Sequence, residues 1–266
     1  MNRAQTENKA SPETKSGEAA VEINDLKKSF GTQEVLKNVS LRLLKGENLV
    51  VLGRSGMGKS VLAKCIVRLL NPDSGTIKVF GENVGELNRH GLSELRKKIG
   101  FLFQSGALYD SMTVRQNLEF PLRRIKKDLS KKEIDEKIMK VLEDVGLPDA
   151  LNKMPSQLSG GMRKRISVAR TIILDPMLML YDEPTTGLDP ATSDEISALI
   201  DDIQRKLKTS SLIITHDIEC ARATADRVIM LHDGEVHLEG KLEAFEKSAD
   251  PLIVSFFKSS HGQSHK

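Results

Sequence analysis

The sequence predicts an α/β domain built on a largely parallel sheet, and three observations support this fold class. First, residues 53–60 fit the phosphate-loop pattern G-x-x-x-x-G-K-[ST], between an apolar strand-like segment and a helical segment. Second, further apolar strands alternate with amphipathic helices along the chain. Third, Gly53, Gln104, Asp182 and His216 directly follow apolar strands. In a parallel sheet these residues would share one edge, where ligands bind.

Composition is that of an ordinary globular chain of 266 residues, long enough for one or two domains. The formal charge of +3 does not argue for a nucleic-acid partner, and none is expected. No apolar run approaches the ~20 residues that span a bilayer. The N-terminus has no apolar core and carries Glu7, Glu13 and Glu18, so it does not resemble a targeting segment. Cys65 and Cys220 form no disulfide framework and are expected to be reduced thiols.

The first part of the chain predicts a tail followed by short strands. Residues 1–20 have almost no large apolar side chain and predict a disordered tail. Order is expected from an alternating strand at 21–23, with short strands at 35–36 and 39–43 before the phosphate-loop strand at 48–52. Phe30 lies beside a turn, where two interpretations remain open: core packing, or stacking on a nucleobase.

The phosphate loop has the chemistry for binding a nucleotide. Its glycines allow a tight turn that points successive N–H groups at one place, and the following helix directs its positive end there. Lys59 adds charge for the β- and γ-phosphates, and the Ser60 hydroxyl can bind Mg²⁺. A glycine-rich turn without a ligand fits this strand–loop–helix context poorly. The candidate binding residues here are Gly53, Arg54, Ser55, Gly56, Met57, Gly58, Lys59 and Ser60.

A helical region follows the strand at 99–103. Thr113 can cap a helix that runs through Arg124, and Ser130 and Glu133 form a capping box for the next one. A third helix is predicted from about residue 159 to about 174, and its basic residues 163–165 are expected to form a solvated face.

The last third of the chain returns to alternating strands and helices. An apolar strand at 178–181 leads into Asp182 and Glu183, and Asp189 caps a helix that begins with proline. A strand at 211–215 ends at His216, and residues 228–238 predict a hairpin. Residues 241–257 predict one or two short helices before a polar tail.

The acidic pair after the third apolar strand suits the chemistry of a magnesium nucleotide. Asp182 can hold Mg²⁺ beside Ser60, and Glu183 can polarise water that attacks the γ-phosphate. By themselves two acids at a strand end would favour Glu183 in solvent, but the upstream phosphate loop reverses that preference. Gln104 could contact Mg²⁺ or the water, and His216 could bind the γ-phosphate, although an isolated Gln or His in these positions is more often structural.

A second phosphate-binding position is suggested at Ser159, Gly160 and Gly161, just before a helix. Their N–H groups, the hydroxyl and the helix dipole could bind phosphate. Two such helix ends in one small domain raise the hypothesis that two copies of the chain share an ATP. The alternative is an ordinary helix cap.

Together these motifs resemble the ATP-binding cassette (ABC) ATPases over residues 21–240. The matching motifs are the Walker A loop at 53–60, the Q-loop residue Gln104, the signature at 158–162, the Walker B strand at 178–182 followed by Glu183, the D-loop at 187–189 with Asp189, and the switch histidine His216. Phe30 matches the aromatic position that stacks on the base. Met162 is a departure, because the family's signature usually ends in Gln.

The resemblance implies a P-loop NTPase with a RecA-like core, an antiparallel β-subdomain and a helical subdomain inserted at about 105–165. It implies ATP and Mg²⁺ as cofactors, and a head-to-tail homodimer with each ATP between the Walker A loop of one copy and the signature of the other. The implied catalytic residues are Glu183, His216, Gln104 and Lys59. The implied Mg²⁺ ligands are Ser60, Gln104 and Asp182. The other implied nucleotide contacts are Phe30, the loop residues 53–60, Ser159, Gly160, Gly161, Met162 and Asp189.

Shorter segments at 53–60, 103–111, 120–123 and 159–162 resemble the ATPases of Mla/MCE-type phospholipid transporters. That finer resemblance implies an integral-membrane permease, a periplasmic MCE-domain lipid-binding protein, and a place on the cytoplasmic face of the bacterial inner membrane. Leu108, Tyr109 and Phe120 could then meet the permease, or they could pack the helical subdomain. Residues 241–266 would be a C-terminal helical extension and tail. An importer ATPase for amino acids or another solute, and an ABC ATPase without a transport role, remain alternatives.

Overall fold

The computed structural model describes residues 17–261. Residues 1–16 of the predicted tail, and the last five residues of the chain, lie outside the described residues. The first strand begins at Ala19, inside the segment expected to be disordered, and the Ala20 side chain is completely buried. The ordered chain therefore begins before residue 21, because two small apolar residues extend the pairing of the first strand.

Within the described residues the chain forms one mixed sheet of ten strands. The strands are β1 (Ala19–Phe30), β2 (Gln33–Leu44), β3 (Asn48–Leu52), β4 (Ser74–Val79), β5 (Glu82–Asn83), β6 (Ile99–Leu102), β7 (Leu178–Asp182), β8 (Ser210–Thr215), β9 (Arg227–His232) and β10 (Glu235–Gly240). Their order across the sheet is β5-β4-β1-β2-β10-β9-β3-β8-β7-β6.

Helices connect and cover these strands. They are α1 (Lys59–Ile66), α2 (Arg89–Lys97), α3 (Val114–Ile125), α4 (Lys131–Asp144), α5 (Gly160–Ile172), α6 (Pro190–Leu207), α7 (Ile218–Thr224), α8 (Leu242–Glu246) and α9 (Pro251–His261). No helix in residues 17–261 is both long and apolar enough to cross a membrane.

The sheet has two parts, and this confirms the predicted fold class. Strands β9, β3, β8, β7 and β6 pair in parallel, whereas β1, β2, β4 and β5 form antiparallel pairs. Strand β10 joins the two parts, antiparallel to β9 and bridged to β2 through Glu235 and Asn38. The carboxyl ends of β3, β6, β7 and β8 consequently lie along one edge of the parallel part.

The parallel part is buried on both faces, as the alternation of side chains along β3 demonstrates. Val50 and Leu52 belong to the core beneath the helical region, while Leu49 and Val51 belong to the core shared with α1 and the antiparallel strands. A strand that must pack on both sides needs apolar residues at every position, which explains its uninterrupted Leu-Val sequence.

Local capping signals and the end of the sheet agree with the sequence predictions. Thr113 and Ser130 form capping boxes at the starts of α3 and α4, and Asp189 caps α6. β9 and β10 form the expected antiparallel hairpin.

Other differences from expectation include β2 and α2. β2 is a single strand rather than two short ones, because its pairing with β1 continues past an irregularity. α2 was not predicted, because its only large apolar residues are Leu92 and Leu95, too few for a clear helical pattern.

Candidate functional site

The phosphate loop lies between the end of β3 and the start of α1, beside an open cavity of about 470 Å³. Gly58 caps α1 with φ at 88°, a left-handed conformation that favours glycine. A β-carbon at this position would lie 3.0 Å from the Val35 carbonyl oxygen, so β2 also requires a glycine here. The remaining cavity wall includes Phe30, Gln104, Glu183 and His216.

The Lys59 ammonium group is enclosed by the loop, with 5% of the residue exposed. Its Nζ atom donates to the carbonyl oxygens of Gly53 at 2.6 Å and Arg54 at 3.0 Å, and lies 3.4 Å from Glu183 Oε1. Burial lowers the pKa of Lys59, while the Glu183 and Asp182 carboxylates favour its charged form. The loop therefore holds a cation among acceptors that phosphate oxygens could replace.

Ser60, which lines the cavity at the start of α1, contacts Asp182 at the end of β7. The Ser60 hydroxyl donates to Asp182 Oδ1 at 2.7 Å. A hydroxyl and a carboxylate are ligands that Mg²⁺ accepts, provided that phosphates and water complete its octahedron. The pair supplies two oxygen ligands from the protein, which fits a magnesium ion that arrives with a nucleotide. The Gln104 side chain is exposed on the same cavity.

The Glu183 side chain is oriented by a left-handed backbone conformation. Its φ of 52° is left-handed, and its N–H donates to the Ile214 carbonyl oxygen of β8. This turns the side chain away from the direction of Asp182 and towards His216, whose Nδ1 lies 2.7 Å from Glu183 Oε2. The Thr186 hydroxyl donates to the same oxygen at 3.0 Å.

The protonation of this pair follows from its surroundings. Burial raises the pKa of the Glu183 carboxyl, but the hydrogen bond and charge of His216, the charge of Lys59 and the Thr186 hydroxyl together bring it below its ordinary value. The same hydrogen bond raises the pKa of His216, against a smaller opposing effect of burial. Glu183 is therefore held as a carboxylate, ready to accept a proton.

Phe30 is not a core residue, because 46% of it is exposed at the rim of the cavity. The Lys28 Nζ atom lies 5.4 Å from its ring centroid. Of the two interpretations open for this residue, core packing is excluded by this exposure.

The predicted signature residues lie elsewhere. Ser159 caps α5 by accepting from the Met162 N–H at 3.2 Å, and Ser159 and Gly160 are exposed. Gly161 packs so closely on α6 that a β-carbon would lie 2.6 Å from Thr192 Cγ2. Asp189, which caps α6, therefore lies beside the signature. None of these residues lines the phosphate-loop cavity.

Met162 is half-buried and packs against the core of the helical region. An apolar side chain at this position therefore has a packing role within its own chain.

The expectation that Lys164 lies on a solvated helix face is wrong. The residue is buried, with 6% of it exposed. Its Nζ donates to the Gln104 carbonyl oxygen at 3.0 Å. Burial lowers its pKa, and the Asp182 and Glu183 carboxylates act in the opposite direction. A sequence signal was present: Lys164 is spaced by four residues from the buried Val168, and so shares its face of α5.

Comparison with known proteins shows which family the chain belongs to. A family model described as "ABC transporter" matches residues 36–186. The probable ribonucleotide transport ATP-binding protein mkl of Mycobacterium tuberculosis is 40% identical over 237 residues, covering 89% of this chain and 66% of the relative. The methionine import ATP-binding protein MetN of Brucella abortus is 37% identical over 239 residues, covering 90% of this chain and 64% of the relative. The chain thus spans slightly less than two thirds of these relatives.

Solved structures agree. A dimeric ATP-binding cassette in a post-hydrolysis state, bound to ADP and Pi, is 33% identical with a TM-score of 0.76, covering 84% of this chain and 98% of the other. CbiO1 of Clostridium perfringens, part of the ABC transporter complex cbiONQ, is 27% identical with a TM-score of 0.78, covering 91% and 99%. With the family model, the relatives and these folds in agreement, the chain belongs to the ABC transporter family as an ATP-binding cassette, an ABC ATPase whose cofactors are ATP and Mg²⁺.

Proposed function

We propose that this chain is the motor subunit of a phospholipid transporter, hydrolysing ATP at an interface between two copies and driving a membrane permease. The observation that carries the hydrolytic part is the convergence on one cavity of Lys59, the Ser60–Asp182 pair and the Glu183–His216 pair. A phosphate cradle, a magnesium position and a carboxylate base are the parts that phosphoryl transfer to water requires.

Each residue takes a role that its geometry permits. Lys59 exchanges its loop carbonyls for the β- and γ-phosphates. Ser60 and Asp182 would hold Mg²⁺, which would supply positive charge against the phosphates. Glu183 accepts a proton from water as the water oxygen attacks the γ-phosphorus. The bond from that phosphorus to the β–γ bridging oxygen breaks, leaving ADP and phosphate. His216 holds the Glu183 carboxylate in place and can donate to the γ-phosphate. Gln104, which lines the cavity, would contact Mg²⁺ or the water.

The position of the signature supports a composite site. Ser159 and Gly160 are exposed at the start of α5, away from the cavity of their own chain, while that cavity is open to solvent. A second copy placed head to tail would bring its signature and Asp189 to the open side. Two copies would then bind two ATP molecules, with Phe30 stacked on the base.

The cargo is proposed from the finer resemblance of segments 53–60, 103–111, 120–123 and 159–162 to the ATPases of Mla/MCE-type phospholipid transporters. The partners would be an integral-membrane permease and an MCE-domain lipid-binding protein, with this chain on the cytoplasmic face of the inner membrane. The second candidate is an importer ATPase for amino acids or another solute, favoured by 37% identity to a protein named for methionine import.

The test is purification of the full chain from its own cells with the membrane proteins bound to it, followed by reconstitution into liposomes. ATP-dependent transfer of fluorescent phospholipid between donor and acceptor vesicles supports the proposal, with the Glu183→Gln complex as the inactive control. ATP-dependent uptake of methionine without lipid transfer would establish the importer instead. ATP hydrolysis without a bound permease would rule out both.

A further inference from the structure

Helix α5 holds the backbone of the segment that follows β6, and it does so with two cations. The Lys164 Nζ atom donates to the Gln104 carbonyl oxygen at 3.0 Å. Six residues further along the helix, Arg170 Nη1 donates to the Ala107 carbonyl oxygen at 2.8 Å. The guanidinium carbon of Arg170 lies 4.8 Å from the Tyr109 ring centroid. Residues 104–109 thus run along one face of α5, and we call them the α5-bound segment.

Between these two anchors the segment touches the helix directly. Gly106 has a left-handed φ of 78°, and a β-carbon there would lie 2.7 Å from Ser167 Oγ. The close approach leaves little freedom for the chain between Gln104 and Ala107. The path of this segment is therefore set by α5 rather than by regular structure of its own.

Lys164 is the unusual member of this contact, because burial of an ammonium group is unfavourable unless acceptors or charges compensate. Its acceptor is the carbonyl of Gln104, and its charge lies within the field of Asp182 and Glu183. The Gln104 side chain, in contrast, is exposed on the cavity of the phosphate loop. The backbone of Gln104 is thus held by Lys164, while its side chain faces the cavity.

We propose that Lys164 is a positioning residue for Gln104. By fixing the carbonyl of Gln104 it aims the amide side chain at the position of Mg²⁺ and the attacking water. The inference rests on the proposed function, because the proposed function is what gives the Gln104 side chain a role in ATP hydrolysis. It predicts that Lys164 acts through the Gln104 side chain and not through the packing of α5.

The experiment compares Lys164→Met, Lys164→Arg and Gln104→Ala in the full chain, with Lys140→Met on the exposed face of α4 as the matched control. Methionine keeps the length and apolar stem of lysine without a donor. Replacing Gln104 by alanine removes the side chain but leaves the carbonyl for Lys164. Steady-state ATPase rate, the Mg²⁺ concentration for half-maximal rate, nucleotide affinity and melting temperature are measured for each.

We expect Lys164→Met to lower kcat about tenfold, in keeping with the loss of one hydrogen bond from a charged donor. The Mg²⁺ requirement should rise several-fold while ATP affinity stays within about twofold of wild type, and Lys164→Arg should restore most of the rate. In a Gln104→Ala background, Lys164→Met should have almost no further effect on kcat, because both changes remove the same interaction.

Two kinetic results would overturn the inference while leaving the proposed function intact. One is a Lys164→Met chain as active as wild type, and the other is losses in kcat that multiply in the double variant. A fall in melting temperature that accounts for the lost activity of both Lys164→Met and Lys164→Arg would also overturn it, in favour of packing. An inactive wild-type chain would instead defeat the proposed function, and the inference with it.

Discussion

His216 Nδ1 lies 2.7 Å from Glu183 Oε2, joining the ends of the neighbouring strands β8 and β7. The contact depends on the left-handed backbone of Glu183, which turns its side chain sideways along the sheet edge instead of continuing the alternation of β7. A buried carboxylate held by a histidine has the position and charge of a general base.

Glu183→Gln should preserve ATP binding and remove most hydrolysis. The amide has nearly the shape of the carboxylate but cannot accept the proton from water, so we expect a loss of about 10²–10⁴ in kcat. Nucleotide affinity and phosphate release are measured on the same preparation. Rates close to wild type would mean that another residue is the base.

His216→Ala should change the pH dependence as well as the rate. The hydrogen bond from His216 lowers the pKa of Glu183, so its removal raises that pKa. Because Glu183 must be deprotonated to act, activity should then be lost at a higher pH on the acidic side of the profile than in wild type. His237→Ala, a histidine paired with Asp250 outside the cavity, is the control. An unshifted acidic limb would show that the pair is not the titrating unit.

Mixed complexes test whether the site is shared between copies. One copy carries Lys59→Ala, which removes the cation from the phosphate loop, and the other carries Ser159→Arg, which obstructs the signature. If the site is composite, both defects fall on one interface site and the other stays intact, so equilibrium binding should find one competent ATP site per dimer. Two equally impaired sites would place the signature in cis.

Tyr109→Ala should weaken association with the permease while ATP binding stays near wild type. Tyr109 is 43% exposed, and its ring packs edge-on against the ring of the exposed Phe120, with 5.4 Å between the ring centroids. The two rings form a small exposed aromatic surface that a permease could bury. Co-purification and nucleotide affinity are compared with those of Met139→Ala, a change to another exposed apolar side chain. Leu108 is a poorer choice, because it packs on the helical core and Leu108→Asp would disturb folding. Unchanged association and transport would exclude this surface.

Both thiols should resist alkylation in the folded chain. Burial raises the pKa of Cys65 to about 11 and that of Cys220 to about 12. At pH 8 almost none of either thiol would be a thiolate, and both residues are buried. Mass spectrometry after iodoacetamide should find no adduct without denaturant and two adducts in guanidinium. Rapid modification of the native chain would show that α1 or α7 opens readily.

Local chemistry explains what could be predicted from the sequence. The phosphate loop is one contiguous segment whose glycines, lysine and serine have their roles whatever surrounds them. The caps at Thr113, Ser130 and Asp189 each join residues three apart in the sequence, so these caps could also be predicted from the sequence. The polar residues after apolar strands correctly indicated one sheet edge, because parallel strands bring their carboxyl ends together.

The sequence by itself determined which groups are present and which strand each one follows, since both depend on neighbouring residues. The tertiary structure alone decided which groups meet. Glu183 and His216 are 33 residues apart, and their contact needs the pairing of β7 with β8 and a left-handed turn. Lys164 was expected in solvent, yet the packing of α5 beneath the chain after β6 buries it on the Gln104 carbonyl, 60 residues away. Contacts of this kind arise when distant segments are brought together by burial of apolar surface, and local spacing does not encode them.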